Sequence, residues 1–116
     1  DKRKVLSDLV KVEDPETAEY DVNVTYYLEE GTGKSRDEMD RAVKAAVDAY
    51  TAWQSGKLGR DINPSRLMWL LGETGVKRAE VTAPAFRKLE DGRDGGTPQV
   101  AALREVKLVN GGYERE

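Results

Sequence analysis

Hydrophobic and polar residues alternate through the segment from Tyr20 to Leu28. Every second position is apolar or aromatic, and these positions are Tyr20, Val22, Val24, Tyr26 and Leu28. Because successive side chains of a strand point to opposite faces, the pattern predicts a half-buried β-strand. A strand with one polar face is more typical of an antiparallel or mixed sheet than of a parallel sheet buried on both sides.

A helical pattern follows the break at Gly31-Thr32-Gly33. Ser35 and Glu38 have the spacing of a capping box, which predicts the first turn of a helix. The apolar residues then share one face at about 100° per residue; they are Met39, Ala42, Val43, Ala46, Val47, Ala49, Tyr50 and Trp53. Charged pairs at i, i+4 predict a solvated opposite face; they are Asp37/Arg41, Asp40/Lys44 and Lys44/Asp48. Gly56 and Gly59 end the predicted helix.

A second helix is predicted to begin at Asn63-Pro64, an asparagine cap followed by proline at the first helical position. Its apolar stripe is Leu67, Leu70 and Leu71, and Gly72 and Gly75 stop it.

Two further strands are predicted after these helices. One runs from Val76 to Ala83, with Ala79, Val81 and Ala83 on one face, and Pro84 closes it or places it near a sheet edge. The other covers about 103–109, with Val106 and Leu108 facing inward. Between them, residues 90–98 carry Asp-Gly steps and are predicted to form a flexible hairpin or loop.

A short apolar and polar stretch at Leu9–Val12 is the candidate first strand, so the predicted order is strand, strand, helix, helix, strand, strand. Two consecutive amphipathic helices on one face of a small antiparallel or mixed sheet make a two-layer α+β sandwich. We expect residues 1–116 to form a single domain, with residues 1–16 partly a lead-in segment. Because the sequence starts without Met, we expect it to be a fragment of a longer protein.

Composition narrows the possible chemistry. The 116 residues carry a net charge of −3 with both signs spread along the chain, which disfavours nucleic acid as the main partner. The absence of histidine removes the usual general base and the commonest metal ligand, and the absence of cysteine removes disulfides. No apolar run approaches the length of a membrane span. We therefore expect no cofactor, no metal and no membrane partner.

One motif resembles a phosphate-binding loop. Gly31-Thr32-Gly33-Lys34-Ser35 lies between a strand and a helix, where helix amides and a lysine could meet phosphates. The full pattern needs a glycine where this chain has Leu28, and Glu29 and Glu30 would repel phosphate. A turn followed by a capped helix is the favoured interpretation. The paired acids Glu13/Asp14, Glu29/Glu30 and Glu90/Asp91 are likewise interpreted as solvated turn residues.

Four residues are candidates for a protein interface. Trp69 projects opposite the leucine stripe of the second helix, and tryptophan is enriched at binding hot spots; the alternative is that the N-terminal segment covers it. Tyr27 lies on the outer strand face. Arg60 and Asp61 could form an interface pair or brace the junction between the helices. Trp53, on the apolar stripe, is predicted to pack in the core.

Several segments resemble the J-like family of baseplate assembly proteins from contractile phage tails. The segment Tyr20–Tyr27 is similar to that family's Y-D-hydrophobic-x-hydrophobic-T-Y strand. Ala52–Ser65 (AWQSGKLGRDINPS) resembles the end of its long helix and the helix junction. Gly75–Val81, the final Val-x-Leu strand and Gly111-Gly112 are also similar.

This resemblance implies a non-enzymatic structural role as the C-terminal region of a longer baseplate wedge protein. The implied partners are other baseplate and tail proteins, and the implied location is the virion baseplate, assembled in the bacterial host cytoplasm. An isolated fragment is expected to be monomeric, and a tailocin-type device stays open beside a phage tail. Two alternatives remain: a nucleotide-binding domain using Lys34 and Ser35, and a general adaptor that binds through Trp69.

Overall fold

The computed structural model describes residues 14–115, which form three strands and two helices. In chain order they are β1 (Glu16–Glu29), α1 (Arg36–Ser55), α2 (Pro64–Gly72), β2 (Arg78–Ala83) and β3 (Gln99–Glu114). The predicted α+β class is confirmed, with the two helices packed on a three-stranded mixed sheet. The predicted strand at Leu9–Val12 lies outside the described residues.

The sheet has the order β2-β1-β3. β1 pairs antiparallel with β2 and parallel with β3, so the sheet is mixed. Residues 30–98 connect β1 to its parallel neighbour β3, and this long connection contains both helices. Such a crossover is what parallel pairing requires, because a short hairpin can join only antiparallel strands.

Central strand β1 supplies much of the core. Its alternating residues are buried as predicted, from Ala18 and Tyr20 through Leu28. The intervening side chains, such as Asn23 and Thr25, are half-buried on the outer face. A strand that is flanked on both sides and covered by helices on one face accounts for this pattern.

Helix α1 begins with the predicted capping box. The Ser35 hydroxyl accepts from the Glu38 amide at 3.1 Å, and the Glu38 carboxylate accepts from the Ser35 amide at 3.3 Å. Its buried apolar face is Met39, Val43, Ala46, Val47 and Tyr50. Trp53 is half-buried and packs against the core, as predicted. Ala49, placed on the same face by the periodicity, is exposed because it lies at the margin of the stripe.

The polar face of α1 departs from the prediction at Asp40. Its carboxylate accepts hydrogen bonds from the Tyr26 hydroxyl at 2.6 Å and the Asn110 side chain at 2.7 Å. Asp40 therefore ties the helix to β1 and β3, whereas the predicted role was a solvated pair with Lys44. Lys44 pairs with Asp48 at 3.5 Å, as the spacing predicted.

Helix α2 begins where predicted, with the Asn63 side chain accepting from the Ser65 amide at 3.0 Å. Leu67 and Leu71 are fully buried and Leu70 packs beside them. Strand β2 is shorter than predicted, beginning at Arg78, and it ends before Pro84 at a sheet edge.

Strand β3 is longer than the predicted 103–109, because pairing with β1 continues at both ends. Val106 lies opposite buried Val22 and so faces the helix side, but it is 40% exposed. The predicted inward direction of Val106 is therefore confirmed, although the side chain is only partly covered. β3 lies at the sheet edge, where the helices leave part of the inner face uncovered.

Candidate functional site

The outer face of α2 presents large apolar side chains to solvent. Trp69 is 57% exposed, and Met68 beside it is also exposed. The Arg66 guanidinium lies 5.4 Å from the Trp69 ring centroid and 5.2 Å from that of Trp53, so one cation links the two indoles. Cation–π contacts of this kind hold an exposed ring in place without covering it. Trp69 is therefore a positioned, accessible aromatic, which is the form that hot-spot residues take.

The loop between the helices is braced by Arg60 and Asp61. Arg60 donates to the Trp53 carbonyl and stacks on the Trp53 ring, with its Cζ 4.2 Å from the centroid. The Asp61 carboxylate accepts from the Leu89 amide at 2.8 Å and lies 4.0 Å from the Lys88 ammonium. These contacts favour the bracing role of the two residues. Their role in an interface stays a prediction.

Gln54 is the buried centre of the same junction. It has no exposed surface. Its side-chain oxygen accepts from the Tyr50 hydroxyl at 2.8 Å and from the Asn63 backbone N–H at 2.9 Å. Its amide nitrogen donates to the Asp61 carbonyl at 2.8 Å. Gln54 could have been found from the helical spacing, because it lies one turn after Tyr50 on the buried stripe that begins at Met39 and Val43.

Tyr27 packs on the outer face of the sheet. Arg78 lies over its ring at 3.8 Å from the centroid, and Gly111 lies so close that an added Cβ would fall 2.3 Å from Tyr27 Cε2. The ring is half-buried by these neighbours. The predicted interface role of Tyr27 thus concerns only the ring surface that Arg78 leaves free, and it stays a prediction.

An ionic cluster made of Lys77, Arg78, Glu80 and Glu114 joins β2 to β3 beside Tyr27. Arg78 donates to both Glu114 oxygens, at 3.0 and 2.8 Å, and to Glu80 at 2.9 Å. The Arg78 hydrogen bonds, followed by those of Lys77, hold the pKa of Glu114 at about 2. The hydrogen bonds to Glu114, followed by that to Glu80, raise the pKa of Arg78. Because the cluster is open to solvent, its ion pairs contribute little to the stability of the fold.

An open cleft of about 550 Å³ lies where β2 ends, beside the first half of β1. Its lining includes Tyr20, Phe86, Arg87 and Arg104. Phe86 is 60% exposed, and Arg104 is bound to Asp21 through two hydrogen bonds of 2.9 and 2.6 Å. The Tyr20 hydroxyl is buried, and this burial raises the pKa of its phenol, while the Ser55 side chain opposes the shift. The cleft combines two aromatic side chains with two guanidinium groups.

The segment Gly31–Ser35 forms a turn and a cap. Gly31 and Gly33 have φ of 83° and 81°, and the Thr32 hydroxyl accepts from the Lys34 amide at 3.5 Å. The Glu38 carboxylate occupies the start of α1, where a bound phosphate would need to sit. The paired acids Glu90 and Asp91 also stabilise a turn. The Glu90 carboxylate accepts from the Gly92 backbone amide, and the Asp91 carboxylate accepts from the Arg93 backbone amide.

No group of side chains among residues 14–115 has the composition and spacing to hold a metal ion. Within the same residues, neither helix is long and apolar enough to cross a membrane. The described fold is thus that of a small two-layer α+β domain whose surface offers exposed aromatic and aliphatic side chains.

Comparison with known proteins places this domain in a family. The family model described as the Baseplate J-like protein C-terminal domain matches residues 20–107, from β1 into β3. The chain therefore belongs to the Baseplate J-like C-terminal domain family, which confirms the resemblance found in the sequence. It is 36% identical over 109 residues to Baseplate protein J of Escherichia phage P2. That match covers 94% of this chain and 33% of the phage protein, so the chain spans about a third of its relative.

Proposed function

We propose that this chain is a non-enzymatic structural domain of a phage baseplate that acts through contacts with other baseplate and tail proteins. The observation that carries the proposal is the family match over residues 20–107. The likeness to Baseplate protein J of phage P2 supports the same location, the virion baseplate. The finer assignment is a wedge component of a contractile tail, in which this domain is the C-terminal region of a longer protein.

The α2 face around Trp69 is the proposed contact with a neighbouring protein. Its support is the exposure of the indole together with the Arg66 contact that fixes its position. Burying a large aromatic against a partner removes much apolar surface from water, and such residues dominate the energy of many interfaces.

Nucleotide binding by Lys34 and Ser35 lacks a supporting observation of this kind. The Ser35 hydroxyl accepts from the Glu38 backbone amide, and the Ser35 backbone amide donates to the Glu38 carboxylate. A phosphate would have to displace a carboxylate of the same chain, and Glu29 and Glu30 precede the loop. A general adaptor outside any particle would use the same Trp69 surface, and no contact in the fold favours it over a baseplate.

The test of location is immunogold electron microscopy of tail particles from the strain that encodes the chain, with antibodies raised against residues 1–116. We expect gold at the end of the tail that meets the cell. Labelled particles with heads would indicate a phage, and headless ones a tailocin-type device. Unlabelled particles, with the protein found only in the soluble lysate, would argue for the adaptor.

The contact surface is tested by Trp69→Ala with Met68→Ala as its neighbouring control. We expect Trp69→Ala to change the free energy of unfolding by no more than about 0.5 kcal/mol, because the side chain is exposed. It should nevertheless lower the yield of complete particles at least about tenfold, while Met68→Ala has a smaller effect. Normal particle yield with Trp69→Ala would remove this face from the proposal.

A further inference from the structure

Asn110 is followed by Gly111 in β3, and this pair has a chemistry that contact with other proteins does not use. The chain has three asparagines, and the other two precede Val24 and Pro64. Asn-Gly is the sequence at which an asparagine amide is most readily lost without an enzyme, because glycine has no side chain to hinder attack by its backbone nitrogen. Asn110 is half-buried and Gly111 is exposed, so water reaches the pair.

The reaction needs only water. The Gly111 backbone nitrogen gives up its proton and forms a bond to Asn110 Cγ, the bond from Cγ to Nδ2 breaks, and Nδ2 leaves as ammonia with that proton. Water then opens the cyclic imide at either of its carbonyls. One opening gives aspartate and the other gives isoaspartate, and each product carries a new carboxylate in place of the amide.

The fold holds the Asn110 side chain at both ends of its amide. Nδ2 donates to the Asp40 carboxylate at 2.7 Å, and Oδ1 accepts from the Gly112 backbone N–H at 2.8 Å. Asn110 also pairs with Tyr26 in the parallel register of β1 and β3. Closing the imide ring requires rotation about the Asn110 Cα–C bond away from the extended conformation, so this part of β3 must first leave the sheet.

The end of β3 is a part of the sheet that can open locally. β3 is an edge strand, and its pairing with β1 becomes irregular just after Asn110, between Tyr26 and Leu28. Local opening at such a place requires less free energy than global unfolding. Asn110 is therefore protected while β3 is paired, and it becomes reactive when the end of the strand opens.

Deamidation changes the group that faces Asp40. The aspartate product has a carboxylate oxygen where Nδ2 donates to Asp40, and two carboxylates at this distance repel each other. The isoaspartate product adds a methylene group to the backbone, which also disturbs the register with β1. Because the released ammonia is not recaptured, the change persists when β3 closes again.

We propose that Asn110 is a site of spontaneous deamidation, that opening of the end of β3 controls the rate, and that the product disconnects β3 from Asp40. This inference does not rest on the proposed baseplate function. It follows from the contacts of Asn110 and Gly111, and it is measured on the purified chain.

The reaction is tested by incubating the chain at mildly alkaline pH, with and without denaturing urea. Peptide mapping with mass spectrometry quantifies the deamidated fraction at each asparagine. We expect modification of Asn110, with Asn23 and Asn63 intact, and a rate that is about tenfold or more higher in urea than in the folded chain.

The role of the Asp40 contact is tested in the folded chain. Asp40→Ala removes the acceptor of Nδ2 and should raise the deamidation rate at least about threefold. Asp48→Ala is the matched control and should leave the rate unchanged, because Asp48 lies on the same helix and pairs with Lys44. Gln54→Met weakens the fold at the helix junction, so it should accelerate the reaction less than Asp40→Ala does if local opening controls the rate.

The effect of the product is tested with Asn110→Asp. It should raise the unfolding equilibrium constant about tenfold or more at neutral pH. Asn110→Ala loses the same hydrogen bonds without adding a charge, and it should raise this constant about fivefold. The groups facing this position are Asp40 and Arg36 from α1 and Tyr26 from β1.

The pH dependence separates repulsion from lost hydrogen bonds. Repulsion raises the carboxylate pKa in the folded state above its unfolded value, so Asn110→Asp regains stability as pH falls. Below about pH 4 the carboxylates take up protons, while Arg36 stays charged and Tyr26 stays neutral. The difference between Asn110→Asp and Asn110→Ala should therefore shrink there.

Several outcomes would overturn the proposal. One is an Asn110 that stays intact in urea or reacts equally fast in the folded and unfolded chain. Another is an Asp40→Ala variant that reacts no faster than Asp48→Ala or Gln54→Met. An Asn110→Asp variant as stable as the wild type would remove the effect on Asp40. Selective loss of the Asn110 amide, faster in urea and in Asp40→Ala, is the supporting result.

Discussion

At the scale of single residues, Gln54 holds the end of α1 to the start of α2. Its three strongest hydrogen bonds, of 2.8 to 2.9 Å, join Tyr50, Asn63 and Asp61. A buried amide with all of these partners fixes one geometry for the junction, because any other would leave polar groups unpaired. Helical spacing could place Gln54 on the buried face, but only the folded junction supplies its partners.

We expect Gln54→Met to lower the free energy of unfolding by about 2–4 kcal/mol, because it leaves a tyrosine hydroxyl and backbone groups buried without partners. Urea unfolding followed by circular dichroism measures this. Gln99→Met is the matched control. Gln99 accepts one hydrogen bond, from the Glu90 amide at 2.9 Å, and is half-buried, so a cost of about 1 kcal/mol is expected. Equal costs at both positions would contradict a special role for Gln54.

Tyr26 makes stability depend on pH in the alkaline range. Its burial, followed by its hydrogen bond to Asp40, raises the pKa of its phenol from 10.0 to about 12. Arg36 and Asn110 also face this phenol and oppose the shift. Between these pH values an unfolded tyrosine loses its proton while the folded one keeps it. The folded state then binds more protons, so the free energy of unfolding falls as pH rises.

We therefore expect the stability supplied by Tyr26 to be complete below pH 10 and to decline from about pH 10 to about 12. Burial also raises the pKa of Tyr50, so part of the decline remains in any single variant. Denaturation at several pH values should show a shallower decline for Tyr26→Phe than for the wild type. Tyr113→Phe, at an exposed position, should leave the slope unchanged. A wild-type slope in Tyr26→Phe would refute the assignment.

At the scale of elements, the sequence predicted local features well and tertiary ones less well. The alternation of β1 and the caps of α1 and α2 are local, and each was found where predicted. The ends of β3 were missed because residues such as Gly111 and Gly112 disfavour strands, and pairing with β1 overrides that preference. Periodicity gave the correct face for Val106, but the absence of a helix above it depends on the whole packing.

Gly111 is a position where β3 and Tyr27 meet too closely for a side chain. We expect Gly111→Ala to destabilise the fold by about 1–3 kcal/mol, because its Cβ would overlap the Tyr27 ring. Gly72→Ala at the end of α2 meets nothing within 4 Å and should be neutral or stabilising by up to about 1 kcal/mol. Thermal unfolding compares the two. In a Tyr27→Ala background the additional cost of Gly111→Ala should vanish, and its persistence would point to another cause.

At the scale of the whole molecule, family membership came from sequence segments while the candidate surfaces came from the fold. Tyr20–Tyr27 and Ala52–Ser65 carried the resemblance, and the first is a buried strand and the second the junction braced by Gln54. Trp69 was placed on the outer helix face by periodicity. The edge position of β3 required the strand order, which one sequence does not reveal.

Ligand binding by the intact domain is tested with Mg-ATP. We expect millimolar Mg-ATP to leave the melting temperature of the wild type and of Lys34→Ala unchanged, because the Glu38 carboxylate already accepts from the Ser35 backbone amide just before α1. A bound nucleotide at about 100 times its Kd would add about 2.7 kcal/mol and raise the melting temperature by several degrees. Such a rise in the wild type, lost in Lys34→Ala, would contradict the structural role.

The parallel partner of β1 is the last strand of the domain, and this sets an order of events during synthesis. A ribosome that has released β1, both helices and β2 has still not delivered Gln99–Glu114. Until it does, one side of β1 stays unpaired and Asp40 lacks Asn110. Synthesis of β3 is therefore the step that completes the sheet on the second side of β1 and supplies the last hydrogen-bond partner of Asp40.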